Sequence, residues 1–155
     1  MNPVTNASCR VHLLGGLRVQ QDNRSITRFR TYKTGALLAY LAFYRTRTHP
    51  REILIDLFWP DAAPERGRNS LSIALSSIRH QIEPPGVPAD AVLLADRFTV
   101  GLNPENVTTD VEEFQGLIAR GGRGKRYADR ATPRRCGEYV PWPAAARLLR
   151  SMDWA

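Results

Sequence analysis

The residues best suited to chemistry lie between positions 66 and 82, in the stretch RGRNSLSIALSSIRHQI. Apolar residues recur there at intervals of four, three and four positions, at Leu71, Leu75, Ile78 and Ile82. This spacing predicts a single helix with one apolar stripe. The other faces of that helix carry hydroxyl and basic side chains and no carboxylate: Arg68, Ser72, Ser76, Ser77, Arg79 and His80.

The absence of acids on this helix points to a partner. A merely solvated helix face usually mixes Glu with Lys or Arg, because such pairs stabilise a helix at i,i+4 spacing. Here the first acid is Glu83, just past the stretch. Cations and small hydrogen-bonding groups suit a polyanion that has readable edges, so we predict a DNA-recognition helix over residues 66–82.

Catalytic and metal-binding patterns are missing from the sequence. The serines of the predicted helix have no GxSxG context, and the three histidines have no triad context. Asp110, Glu112 and Glu113 sit together, but a helix that begins after Thr109 explains them through capping and the helix dipole. The two cysteines form no CxxC pair. We therefore predict a protein that is not an enzyme, with no metal and no cofactor.

Positive charge is concentrated in two parts of the 155-residue chain. Residues 10–79 carry a net charge of +7, residues 80–118 carry −6 and residues 119–155 carry +6. A localised basic surface is what phosphate binding requires. The sequence contains no apolar run of roughly 18 residues and no secretory signal pattern. We expect a cytoplasmic, nucleoid-associated protein with no membrane contact.

The flanking segments predict elements that would position this helix. Short antiparallel strands are expected over residues 10–30, with a turn at Gly15-Gly16, and a buried helix from Thr31 to about Arg45. A second helix should begin with Pro50 at its first position and end before Trp59-Pro60. Together with the helix over 66–82, they predict the three-helix core of a helix-turn-helix protein.

A β-hairpin is expected directly after the recognition helix. The runs VLLAD and FTVGL flank Asp96-Arg97, and we expect one face of the hairpin to pack on the core through Val92, Leu94, Phe98, Val100 and Leu102. A hairpin at this place is a wing, and Arg97 at its tip could reach phosphate or the minor groove. The predicted fold class is α+β: a winged helix-turn-helix with an N-terminal small antiparallel sheet, a three-helix core and a C-terminal hairpin wing.

These elements resemble the winged helix-turn-helix of OmpR/PhoB-type response regulators, and more narrowly the Streptomyces antibiotic regulatory protein (SARP) activators. The resemblance rests on LLGGLRV, YKTGALLAYLAF, HPREILIDLFWPD and RNSLSIALSSIRHQI, and TTDVEEFQGLI resembles the start of the bacterial transcriptional activator domain. It covers about residues 10–118. The resemblance implies a sequence-specific activator that binds direct repeats in double-stranded DNA near promoters, with a second protomer and RNA polymerase as partners.

The resemblance also implies a set of DNA-contacting residues. Ile73 and Ser77 would face base edges, Arg66 and Arg68 would flank the helix start, and His80 lies on the same helix. Ser70, Ser72, Ser76 and Arg79 would lie nearer the sugar-phosphate backbone, as would Arg97 on the wing. Ile73 lies off the apolar stripe, so it is either an exposed base reader or additional core. Where the family usually shows further arginines, this chain has Ser72 and Ser77.

The last part of the chain departs from the family pattern after about residue 120. We expect a DNA-binding domain over residues 9–103, followed over 104–155 by the start of a truncated helical activator domain and a basic tail. The Gly/Arg/Pro-rich tail is interpreted as a truncation, a frameshift product or a functional basic arm. The alternative function is a protein–protein adaptor, or a truncated signalling-protein fragment with weak DNA binding.

Overall fold

The N-terminal sheet is built mainly from short strands near the start of the chain. The computed structural model describes residues 9–21 and 23–121. Strands β1 (Cys9–His12), β2 (Arg18–Gln21) and β3 (Arg24–Ile26) pair antiparallel in sequence order. Gly15 and Gly16, at φ of 82° and 132°, make the turn between β1 and β2, as the sequence predicts.

Helix α1 (Tyr32–Phe43) forms the centre of the core. Thr31 caps its amino end, accepting a hydrogen bond from the Thr34 backbone N–H at 3.1 Å. All nine residues from 34 to 42 are buried, so the helix is covered on every side. Gly35 lies close to Phe29, because a Cβ atom there would be 3.3 Å from that ring. The sequence-predicted helix over this segment is confirmed, with its amino end at Tyr32.

Helices α2 (Arg51–Phe58) and α3 (Pro64–Ile82) cross closely after a five-residue connection. The crossing depends on Gly67, since a Cβ atom at that position would lie 2.5 Å from Cγ2 of Ile55. Helix α3 begins at Pro64 rather than Arg66, so it includes one exposed acid, Glu65, and the expectation of a helix without acids is wrong for its first turn. The predicted apolar stripe is confirmed, with all four members buried at 5% exposure or less: Leu71, Leu75, Ile78 and Ile82.

The predicted start of α2 is wrong by one residue. Pro50 is not the first helical residue but the residue before it, and with His49 it forms a two-residue strand, β4. This strand pairs antiparallel with β6 (Thr99–Leu102), and the Arg51 backbone N–H donates to the carbonyl of Phe98 at 2.9 Å. Tertiary pairing therefore sets the boundary, although proline is well tolerated at the first turn of a helix.

The hairpin after α3 is confirmed, but its inward face differs from the prediction. Strands β5 (Leu93–Ala95) and β6 pair antiparallel, and with β4 they form a sheet of order β4-β6-β5. Leu93 is fully buried opposite Leu102, whereas Leu94 is partly exposed and Phe98 is 73% exposed. Phe98 lies in the hairpin loop rather than in a strand, so strand alternation does not apply to it.

A further strand, β7 (Val107–Thr109), was not predicted. It pairs parallel with β1 and extends the first sheet to the order β3-β2-β1-β7. Helix α4 (Asp110–Gly121) follows directly, close to the predicted helix of about residues 110–118. The residues just after 103 are thus continuous with the body, and the division of the chain into domains stays a prediction. The predictions for the tail concern residues that lie outside the described part of the chain.

Taken in chain order, the described residues form an α+β arrangement of two small sheets and four helices. The sequence of three helices followed by a hairpin is consistent with the predicted winged helix-turn-helix. None of the described helices is both long enough and apolar enough to cross a membrane.

Candidate nucleic-acid interface

The outward side of α3 presents small polar groups around one apolar residue. Asn69, Ser72, Ile73, Ser76 and His80 are exposed there, at helical spacings of three and four residues. Ile73 is 45% exposed, which settles the choice left open by its position off the apolar stripe: it is not core. Ser70 and Ser77 lie at the margins of this face and are half-buried.

The amino end of α3 leaves backbone donors free. Ala63 precedes the helix and provides no side-chain cap, and the Gly67 N–H makes the first intrahelical bond, to the Ala63 carbonyl at 2.9 Å. The preceding N–H groups therefore point out of the helix, where a phosphate is favoured. Arg66 and Arg68 are exposed in the first turns, and Arg68 makes only a loose exposed pair with Glu52 at 3.4 Å.

Two residues that sequence reasoning missed lie on the same surface. Asn69 is exposed one turn before Ile73 and carries an amide that can pair with adenine in the major groove. Arg30, from the β3–α1 loop, lines an open groove together with side chains of α3: Ser72, Ile73, Ser76, Ser77, His80 and Gln81. We call these seven residues the recognition groove. Helical spacing could have identified Asn69, but no local signal identifies Arg30.

Arg79 has more partners within the protein than the other arginines of α3. Its guanidinium donates to the Asp90 carboxylate at 2.7 Å and to the Leu93 carbonyl at 3.0 Å. Its Nε atom also lies 3.4 Å from a carboxylate oxygen of Glu83, whose side chain is only 2% exposed. These bonds tie the end of α3 to the base of the wing, so Arg79, which the resemblance places near the sugar-phosphate backbone, is engaged within the protein.

The wing tip is held by one carboxylate. Asp96 accepts hydrogen bonds from the backbone N–H groups of Thr99 and Phe98, at 2.6 and 2.7 Å, and these donors lower its pKa. The turn is an Asx type, which explains why the loop needs no glycine. Arg97 is exposed at the tip as predicted, with its guanidinium carbon 5.9 Å from the centre of the Phe98 ring. The tip thus presents one cation and one exposed aromatic ring.

The buried titratable groups of the described residues are a thiol and an imidazole that lie far from the outward face of α3 in the sequence. No group of three or more His, Cys, Asp or Glu side chains within residues 9–21 and 23–121 is placed to hold a metal ion. Burial raises the pKa of the Cys9 thiol to about 12, so this sulfur stays protonated and unreactive. Burial, together with the nearby Arg47 charge, lowers the pKa of His49, which packs against Tyr40 and Tyr44.

No protein-family model matches the chain, and no curated protein matches it. Among solved structures, the fold is similar to that of Mycobacterium tuberculosis EmbR in complex with a low affinity phosphopeptide. The TM-score is 0.60 at 24% sequence identity, and the match covers 93% of this chain. It covers 35% of the EmbR chain, so this chain spans about a third of that protein. The likeness establishes a shared fold.

Proposed function

We propose that this chain is a sequence-specific regulator of transcription that binds double-stranded DNA through α3, in the manner of SARP-type winged helix proteins. The observation that carries the proposal is the outward face of α3. Its Ile73, Ser72 and Ser76 are exposed, and the flanking Arg66 has no ionic partner among the described residues. The fold shared with EmbR and the resemblance of the sequence motifs support the same assignment.

The chemistry of this face divides the expected contacts into two kinds. Arg66, Arg68 and the free N–H groups at the start of α3 would bind phosphates and position the protein on the duplex. Asn69 and Ser77 would hydrogen-bond to base edges, and Ile73 would contact a thymine methyl group. Ser70, Ser72, Ser76 and His80 would complete the face, and Arg97 would reach the sugar-phosphate backbone or the minor groove from the wing.

The proposal extends to how the protein works in the cell. The α3 face is modest in charge, so one protomer should bind weakly, and side-by-side binding of two protomers on direct repeats would supply the missing affinity. We propose that such a complex activates transcription through RNA polymerase in the cytoplasm. Random-site selection followed by sequencing tests this, because a repeated half-site at fixed spacing is the expected result and a single isolated site would contradict it.

A matched pair of isoleucines tests the base-reading role of α3. Ile73 on α3 and Ile53 on α2 are 45% and 46% exposed, so replacing either with Ala removes similar exposed apolar surface. Ile73→Ala should reduce the preference for the selected site over a scrambled duplex by about three- to tenfold. Ile53→Ala should leave that preference unchanged. The preference for the selected site is measured by fluorescence anisotropy. If it is equal in the two variants, Ile73 does not contact a base.

A protein–protein adaptor is the second candidate function. It is favoured by the apolar side of α4, where Phe114, Leu117 and Ile118 are each more than half exposed. An adaptor would form no salt-sensitive complex with any duplex, whereas a DNA-binding protein must, because phosphate contacts release counterions. A gel shift of the 155-residue chain at several salt concentrations separates the two functions.

A further inference from the structure

The recognition groove has a second wall that does not belong to α3. Six of its seven residues come from α3, and Arg30 comes from the loop that joins β3 to α1. This loop is anchored against α3, since the Gln81 side-chain amide donates to the backbone carbonyl of Arg28 at 3.2 Å. A side chain on this loop therefore lies beside anything that occupies the outward face of α3.

The backbone on both sides of Arg30 is fixed. Phe29 is half-buried against the core, and its ring lies next to Gly35. Thr31 is the N-cap of α1, with its hydroxyl bonded to Thr34. With its neighbours held on either side, Arg30 has a defined position, and only its side chain is free to turn into the groove. A residue held in this way loses less conformational entropy when it binds a partner.

The charge of Arg30 is not neutralised by a neighbour. It is exposed, and no carboxylate among residues 9–21 and 23–121 pairs with it. The groove that it lines contains hydroxyls, an imidazole, an amide and an isoleucine, but no acid. Arg45 and Arg79, by contrast, are bonded to carboxylates of the same chain. An unpaired guanidinium beside a groove without acids is suited to an anionic partner.

We infer that Arg30 binds a backbone phosphate of the duplex that α3 reads, so that the β3–α1 loop is a second DNA-contacting element beside the helix. This inference rests on the proposed function and names a further residue of the same interface. The major groove is about 12 Å wide, so an α-helix in it brings its lateral neighbours to the sugar-phosphate walls. Arg30 is such a neighbour. At the sugar-phosphate wall its guanidinium would contact a phosphate rather than a base edge.

Three variants of the 155-residue chain test this role. Arg30→Ala should lower affinity about three- to tenfold at physiological salt and reduce the slope of log K against log salt by about one. The loss should be equal on the selected site and on a scrambled duplex. Arg30→Lys should retain most of the affinity, because a phosphate accepts either cation. Arg120→Ala, which removes an exposed arginine on α4, is the matched control and should leave affinity and slope unchanged.

The outcomes separate this inference from the proposed function. An Arg30→Ala protein that matches Arg120→Ala in affinity and slope would overturn the inference while the wild type still binds. A loss confined to the selected site would also overturn it, because it would indicate a base contact. A wild-type chain with no salt-sensitive complex would refute the proposed function itself. Thermal melting of each variant confirms that folding is intact.

Discussion

The recognition groove and the start of α4 place arginines beside helices in opposite ways. At α4, Arg45 bonds both oxygens of Glu112 and the Pro104 carbonyl, and Arg10 pairs with Glu113 at 2.5 Å. Asp110 accepts hydrogen bonds from the backbone N–H groups of Leu13 and Leu14, at 2.8 and 3.0 Å. We call this set the acidic junction. In the recognition groove, Arg30 has no such acid. The arginines of the junction are therefore neutralised within the fold, whereas Arg30 has no carboxylate partner among the described residues.

The pairing of arginines at the acidic junction changes how the net charge of residues 10–79 should be interpreted. Residues 10–79 carry +7 in the sequence, but Arg10 and Arg45 belong to that count and are neutralised by acids from residues 110–113. The unpaired basic surface is thus smaller than the segment charge suggests. From the sequence, the acids of α4 are attributed to capping and the helix dipole, and Thr109 does accept from the Glu112 N–H at 3.3 Å. Their ionic partners on β1 and α1 are additional.

Arg79→Ala should have the largest effect, because Arg79 lies on α3 yet behaves like a residue of the junction. The variant leaves the Glu83 carboxylate, only 2% exposed, without its cation. We expect a loss of about 2–4 kcal/mol in the free energy of unfolding, measured by urea denaturation. Arg66→Ala, the control on the same helix, should unfold like the wild type. Full stability combined with a reduced salt slope in DNA binding would restore Arg79 as a phosphate contact.

Glycine-to-alanine substitutions on α3 and α4 should act in opposite directions. Gly67→Ala places a Cβ atom 2.5 Å from Ile55 and must push α2 and α3 apart, which should cost about 1–3 kcal/mol of stability and weaken DNA binding. Gly116→Ala meets nothing closer than 3.9 Å, so it should gain up to about 1 kcal/mol from helix propensity. Thermal unfolding of both proteins provides the measurement. A stabilised Gly67→Ala protein would show that the close crossing is not required.

Arg45→Ala should have the smallest effect and should separate stability from binding. The Arg45 side chain is 14% exposed and that of Glu112 is 52% exposed, so their pair is only partly screened by water. We expect about 1 kcal/mol less stability, with the difference shrinking at high salt. DNA affinity of the folded protein should be unchanged, as judged by anisotropy below the melting transition. A lowered salt slope in DNA binding would instead place Arg45 at the interface.

Local patterns predicted most of the fold. The 3.6-residue period of apolar residues predicted α3, a run of apolar residues predicted α1, and two apolar-rich runs predicted the hairpin of the wing. Strand β7 could not be predicted in this way, since it is three residues long and pairs with β1, almost 100 positions earlier in the chain. A short parallel strand has no periodic signal of its own, and its partner is chosen by the tertiary structure.

The site was predictable where helical geometry alone decides exposure. The exposure of Ile73, Ser72 and Ser76 can be predicted from their positions around α3. The same helical spacing also predicts that Asn69 is exposed. The partners of Arg79 were partly visible, since Glu83 lies four residues later, but Asp90 adopts a left-handed φ of 63° in a turn that the sequence does not specify. Arg30 could not be found, because its place beside α3 depends on how the β3–α1 loop folds back.

The pairing of β4 with β6 has a mechanical consequence. Strand β6 is bonded on both edges, and the carbonyl of Phe98 at the wing tip accepts from the first residue of α2. The wing is therefore attached to the start of α2, and we expect a displacement of its tip to move α2 as well. The motion would emerge in residues 59–63, between α2 and α3, where no strand pairing restrains the chain. Faster amide hydrogen exchange in residues 59–63 would report such a displacement of the wing.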